Sequence, residues 1–148
     1  MPSENLLIIL GATASGKTKL AVSIADELNA EIISADSRQV FKGMDIGTGK
    51  DLAEYKVGGN EIPYHLIDIV NAGDKYNVNA FKDDFYKALD SITKLDKLPI
   101  LCGGTGMYMH ALLQNHALTA IPKDESLREK YINFDKIELQ NILNQYPK

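Results

Sequence analysis

The segment Gly11-Ala12-Thr13-Ala14-Ser15-Gly16-Lys17-Thr18 matches the pattern G-x-x-x-x-G-K-[ST] at every position. Such a run holds phosphate. Its glycines let the backbone wrap an anion with N–H groups turned inward. A following helix aims the positive end of its dipole at the same point. Lys17 adds a mobile point charge, and the Thr18 hydroxyl is placed to ligate Mg2+. Thr13 and Ser15 supply further donors. A chance glycine turn would match the letters too, but here apolar residues 5–10 precede the loop and a helical pattern follows it.

Two more polar motifs follow apolar runs: Asp36-Ser37-Arg38-Gln39 and Gly103-Gly104-Thr105-Gly106. In open α/β sheets ligands sit beyond the carboxyl ends of the strands. The three motifs are therefore expected around one pocket, where a carboxylate, a hydroxyl and a phosphate cradle meet. Each also has a structural reading. Asp36 can close a turn or hold a water on a metal, and Arg38 and Gln39 can be solvated loop residues. Gly103 and Gly104 can serve tight packing, with Thr105 as the N-cap of the next helix. Capping and catalysis are compatible.

Other reactive side chains are less specific. Gly47-Thr48-Gly49-Lys50 lacks the Ser/Thr after its lysine, and no strand feeds it. It reads as a mobile loop from which Thr48 and Lys50 are the residues able to reach substrate. Asp68 resembles a metal-holding acid at a strand end, with a structural role as the alternative. His65 reads as a hydrogen-bonded core or rim histidine. His110 and His116 have no ligand spacing to each other or to Cys102, so no zinc site is expected. Cys102 reads as a small buried strand residue.

The elements that must position these groups follow from periodicity. Residues 5–10 predict a buried strand, and Lys17–Leu28 a helix with Leu20, Ile24 and Leu28 on one face beside Ala21 and Ala25. Asn29 suits its C-terminal end. Glu31–Ala35 predicts a second strand, residues 42–60 a loop, 64–70 a third strand and 98–102 a fourth. Val78, Phe81, Phe85, Ala88, Leu89 and Ile92 mark an amphipathic helix started by Asn77, and another helix is expected through Leu113. Beyond Pro122 the pattern is all helix. One helix begins at Asp124. The other follows the Asp135-x-x-Glu138 capping pair and carries Leu139, Ile142, Leu143 and Tyr146.

The alternation implies an α/β fold: a P-loop NTPase-like parallel sheet with flanking helices and right-handed crossovers. It spans residues 1–121, with 122–148 opening a separate helical element.

Composition sets the outer bounds. The 148 residues carry 16 basic and 20 acidic side chains, a net charge of −4, with 45% hydrophobic and 24% charged residues. That fits a soluble globular domain and excludes disordered, collagen-like and disulfide-scaffold chains. The longest apolar run, residues 6–10, falls far short of the about 20 needed to cross a bilayer. No membrane partner is expected, and the N-terminus lacks the pattern of a secretory signal. A single cysteine fits a reducing cytoplasm. Mild acidity opposes a general nucleic-acid coat but allows one specific RNA contact.

The phosphate loop, Ser34-Ala35-Asp36-Ser37-Arg38-Gln39, Gly43-Met44-Asp45-Ile46-Gly47-Thr48 with Lys50, His65-Leu66-Ile67-Asp68 and Gly103-Gly104-Thr105 together resemble the tRNA dimethylallyltransferase (tRNA isopentenyltransferase) family. Order and spacing agree across residues 6–114, and residues 34–48 are the most diagnostic. The resemblance implies transfer of a dimethylallyl group from dimethylallyl diphosphate to N6 of an adenosine beside the tRNA anticodon. It implies that the nucleotide-binding loop, Gly11 through Thr18, holds the diphosphate rather than ATP. It assigns catalysis to Asp36 and Thr105, and tRNA contact to Asp36, Ser37, Arg38, Gln39 and Arg128. Mg2+ on Thr18 is the expected cofactor, and a cytoplasmic monomer the expected form.

Family members continue well past residue 148, so the resemblance implies that 122–148 start a helical tRNA-binding insertion and that the chain is the N-terminal half of such an enzyme, expected to be inactive alone. Residues 123–136 hold four basic and four acidic side chains, hardly an RNA-binding patch. Two other readings stay open. A small-molecule or nucleoside kinase on the same scaffold needs a metal-holding acid after a late strand, for which only Asp68 is a candidate. A non-catalytic phosphate- or RNA-binding module is the other.

Overall fold

The computed structural model describes residues 5–113 and 124–146. The chain divides into two compact units, Met1–His116 and Ala117–Lys148. The expectations for His116 and for the break at Pro122 lie outside the described residues.

In the first unit, strands β1 (Leu7–Leu10), β2 (Glu31–Ala35), β5 (Tyr64–His65) and β6 (Pro99–Gly103) form one parallel sheet in the order β1-β6-β2-β5. Parallel strands need crossovers. These are α1 (Lys17–Leu28) and α2 (Val78–Lys94), with α3 (Gly106–Leu113) following β6. Side chains alternate across a strand, so β2 and β6 fill two cores. Ile32, Ile100 and Cys102 pack with Ala21, Val22 and Ala25 of α1 on one face. Ile33, Ala35 and Leu101 pack on the other with Phe81, Phe85, Leu89 and Ile92 of α2 and with Tyr108 and Met109 of α3. The Phe81 and Tyr108 rings stack at 3.9 Å, joining α2 to α3.

Caps fall where the side chains dictate. Asn77 accepts from the N–H groups of Asn79 and Ala80, both at 3.0 Å, and Asn29 ends α1 in the left-handed conformation (φ 51°).

Four local expectations are corrected. The strand at residues 5–10 is not buried: β1 lies at the sheet edge, leaving Ile8 36% and Leu10 53% exposed. The α1 face is rotated, burying Ala21, Val22 and Ala25 while Leu20 and Leu28 stay exposed. Small residues let the helix approach the sheet closely, and the leucines fall outside that contact. The strand at 64–70 pairs with β2 only through Tyr64 and His65. Leu66 and Asp68 then turn left-handed, at φ 63° and 55°, which sends Leu66 into one core and Ile67 into the other. Residues 42–60 are not all loop: a 3₁₀ turn, Leu52–Tyr55, leads into a hairpin of β3 (Lys56–Val57) and β4 (Asn60–Glu61).

In the second unit, Asp124 caps α4 (Glu125–Tyr131) by accepting from Leu127 N–H at 3.1 Å. A complete Asp135–Glu138 capping box starts α5 (Lys136–Leu143). Among the described residues no helix is long and apolar enough to cross a membrane.

Candidate active site

β1 delivers the chain to the glycine-rich loop, and α1 begins at Lys17 directly behind it. Gly16 stands at the N-cap with φ 83°, a conformation open to glycine at little cost, and no side chain caps the helix. Ala14 also turns left-handed (φ 60°), curling the loop. The first N–H groups of α1 are thus left to an anion rather than to a capping side chain. Lys17 Nζ donates to the Ala12 carbonyl at 2.5 Å, arching over the loop.

The loop forms one side of a cavity of about 490 Å³, within the range of small-molecule sites. Thr13 through Thr18 line it; Gly11 and Ala12 are not among the lining residues. Asp36, Ser37, Arg38 and Gln39, at the end of β2, form the opposing side. Gly103, Gly104 and Thr105 lie between, because β6 is inserted between β1 and β2. The convergence expected of the three motifs is what the fold produces.

Asp36 closes a turn: its Oδ1 accepts from Arg38 N–H at 2.9 Å. Among the described residues no hydrogen bond occupies Oδ2, so the turn leaves one carboxylate oxygen for the cavity. The Thr105 carbonyl starts α3 by accepting from Tyr108 N–H at 3.0 Å. Its hydroxyl does not cap that helix. It accepts from Ser37 N–H at 3.1 Å, while Thr105 N–H donates to the Ala35 carbonyl at 3.3 Å. Gly103 is required by this seam: a Cβ there would lie 2.4 Å from the Ala35 oxygen. Arg38 is exposed at the cavity. Gln39 bridges, accepting from the Ser34 hydroxyl at 2.9 Å and donating to the Gly49 carbonyl at 3.1 Å. Arg128 lies exposed on α4, in the other unit.

Sequence reasoning missed Ser34, Glu54, Tyr55 and Cys102, all of which line the cavity. Glu54 and Tyr55 come from the 3₁₀ turn, whose four residues carry too little periodicity to be read. Burial pushes the Cys102 thiol up to about 11 against the pull of Lys17, so it stays protonated at neutral pH. Thr48 reaches the lining with Gly47 and Gly49; Lys50 does not. Asp68, the candidate metal-holding acid, is ion-paired to Lys50 at 2.5 Å. His65 Nε2 meets Glu31 at 2.7 Å, a rim contact at the end of the sheet away from the phosphate loop. Among the described residues no group of three or more His, Cys, Asp or Glu side chains could hold a metal. The Thr18 hydroxyl is the donor suited to a cation that is shared with phosphate oxygens.

A family model described as IPP transferase matches residues 39–146, and one described as isopentenyl transferase matches residues 4–68. tRNA dimethylallyltransferase 1 of Parabacteroides distasonis is 53% identical over 146 residues, covering 99% of this chain and 48% of the relative. Its namesake in Porphyromonas gingivalis is 55% identical over 141 residues, covering 95% and 47%. The chain thus spans about half the length of the curated relatives it matches. Among solved structures, the full-length tRNA isopentenylpyrophosphate transferase of Bacillus halodurans superposes with a TM-score of 0.72 at 39% identity, over 97% of this chain and 44% of that one. A eukaryotic dimethylallyltransferase acting on tRNA gives 0.75 at 26% identity, over 95% and 35%. Identity of this depth across nearly the whole chain, with the family pattern running from residue 39 to 146, makes the chain a member of the IPP transferase family.

Proposed function

We propose that this protein transfers a dimethylallyl group from dimethylallyl diphosphate to N6 of an adenosine next to the anticodon of tRNA, releasing diphosphate. The observation that carries the reading is the opposition, across one cavity, of an anion-binding loop and the Asp36–Thr105 wall. The names of the relatives support it, since they act on tRNA as dimethylallyl- or isopentenyl-transferases.

The chemistry divides between the two sides. As the allylic carbon–oxygen bond breaks, negative charge grows on the departing diphosphate. The loop N–H groups and Lys17 stabilise that charge from fixed positions. The Thr18 hydroxyl would hold Mg2+, which when bound would supply further neutralisation of the same charge. On the other side the adenine amine forms the new nitrogen–carbon bond and becomes positive. Asp36 accepts a hydrogen bond from it and takes its proton, a contribution of roughly 10²- to 10⁴-fold. The base must leave its stack to enter such a cavity, which favours a loop nucleotide. Ser37, Arg38 and Gln39 frame its entry, and Arg128, exposed on α4 of the helical unit, is the further residue offered to tRNA. We infer a monomer working in the cytoplasm.

The test incubates the full-length gene product with labelled dimethylallyl diphosphate and unmodified tRNA. Label on tRNA and free diphosphate are the expected products. Unlabelled tRNA, with ATP hydrolysed or its phosphate transferred instead, refutes the reading and favours a kinase. Asp36→Ala is expected to lower turnover by about 10²-fold or more while leaving diphosphate affinity nearly unchanged. Equal losses would move Asp36 to the metal shell.

A further inference from the structure

Lys50 is charged, yet its side chain is only 1% exposed, and it lies outside the cavity lining and outside both hydrophobic cores. An ammonium has three donors and no acceptor, and burying it unpaired is costly. Each donor here has an acceptor: the Phe41 carbonyl at 2.8 Å, Asp45 at 3.0 Å and Asp68 at 2.5 Å. Burial favours the neutral amine, but the hydrogen bonds and charges of Asp68 and Asp45 outweigh it and raise Lys50 above its ordinary value.

These acceptors come from three places in the chain. Phe41 follows the Asp36–Gln39 turn, Asp45 sits in the middle of the next loop, and Asp68 ends the segment after β5. Backbone bonds from Asp68 N–H to Gln39 O (3.0 Å) and from Lys42 N–H to Val70 O (2.7 Å) hold the first and third together. Thr48 Oγ1 closes the loop on the Met44 carbonyl at 2.7 Å, and Gln39 reaches the Gly49 carbonyl from the cavity side. The stretch 47–49 that lines the cavity is therefore pinned at one end by Lys50 and in the middle by Thr48.

We propose that Lys50 and Asp68 are positioning residues, an ion-paired pin behind the cavity that sets the 47–49 wall against the Asp36 turn so that the acceptor nucleotide meets the diphosphate in reacting geometry. The inference rests on the transferase reading above. It assigns the pin to acceptor placement and not to diphosphate binding, because the phosphate loop shares no hydrogen bond with the pin among the described residues.

The test uses the full-length protein with Lys50→Met, Asp68→Asn and Asp68→Ala. Asparagine tolerates the left-handed backbone of position 68 (φ 55°) and keeps an acceptor oxygen, so it separates charge from backbone strain. Misplacement of reacting groups by about 1 Å costs on the order of 10²-fold. Lys50→Met is accordingly expected to lower kcat/KM for tRNA by about that factor. Diphosphate affinity should stay within about twofold, with Asp68→Asn falling between Lys50→Met and wild type. Amide hydrogen exchange should quicken in residues 43–50 and stay unchanged in β2 and β6. Wild-type transfer by Lys50→Met, or diphosphate affinity lost in step with transfer, overturns the proposal. If the wild-type protein transfers no prenyl group, the transferase reading fails by itself. Exchange then still decides the pin, since unchanged exchange in residues 43–50 of Lys50→Met removes it.

Discussion

The Thr105 hydroxyl accepts a hydrogen bond from the Ser37 N–H at 3.1 Å, joining two residues 68 positions apart. The bond stitches the end of β6 to the end of β2 and sets the hydroxyl beside the Asp36 turn. Thr105→Val keeps the side-chain volume and removes the acceptor. Turnover is expected to fall by about 10- to 100-fold with diphosphate affinity little changed, and Thr105→Ser should recover most of it. Steady-state kinetics beside equilibrium diphosphate binding checks the split; a valine variant with native turnover leaves the bond a purely structural stitch.

Lys17 and Thr18 belong to the opposite side of the cavity. A hydrogen bond to a charged group contributes about 1.5–3 kcal/mol, so Lys17→Ala is expected to weaken diphosphate binding by about 10- to 100-fold. Thr18→Ala should weaken it only when Mg2+ is present. Titration calorimetry with and without Mg2+ separates the two, and equal affinities in all three proteins would make the loop a bystander.

Gly103 and Gly104 carry different loads although adjacent. A Cβ on Gly103 would sit 2.4 Å from the Ala35 oxygen, in the middle of the sheet, whereas one on Gly104 would lie 3.1 Å from the Gly11 oxygen. Gly103→Ala is expected to destabilise the fold by about 1–3 kcal/mol, the range for overpacking. Gly104→Ala should cost less stability but disturb the loop and lower diphosphate affinity. Urea midpoints and binding constants for both variants test the contrast.

Glu31 anchors the far end of the sheet, buried between Lys97 at 2.8 Å and His65 at 2.7 Å. Burial alone would raise its pKa, but the hydrogen bonds and charges of Lys97 and His65 outweigh it and hold the carboxyl below its ordinary 4.5. A depressed carboxyl stabilises the fold above its unfolded pKa, and that contribution disappears as pH falls through its folded value. Stability should therefore drop as pH falls below about 4.5. Glu31→Gln should be less stable at neutral pH and flatter across that acid window. Thermal melts from pH 3 to 7 give the comparison, and parallel curves would remove Glu31 as the cause.

Much of this was legible in residue order because it is local. The helix starts at Asn77, Asp124 and Asp135 follow from side-chain oxygens reaching their own backbone two or three residues on. The phosphate loop is equally local, a backbone conformation written in one octapeptide. The miscast parts depend on distant neighbours. Leu20 and Leu28 look like core by period, yet the alanine side of α1 meets the sheet. Lys50 sits in a glycine-rich stretch that reads as a mobile loop able to reach substrate, and only its acceptors at Phe41, Asp45 and Asp68 make it a buried pin.

By itself, the sequence determined which groups are on offer to the candidate site: a glycine-rich loop of anion-binding pattern, a carboxylate on a turn, and a hydroxyl after a glycine pair. Tertiary structure decided how they meet. The pattern of strands does not state their order, because any parallel arrangement buries the same apolar runs. Placing β6 between β1 and β2 depends on fits found only on assembly, among them Gly103 against Ala35. That insertion sets Thr105 between Lys17 and Asp36 and turns three motifs into one site.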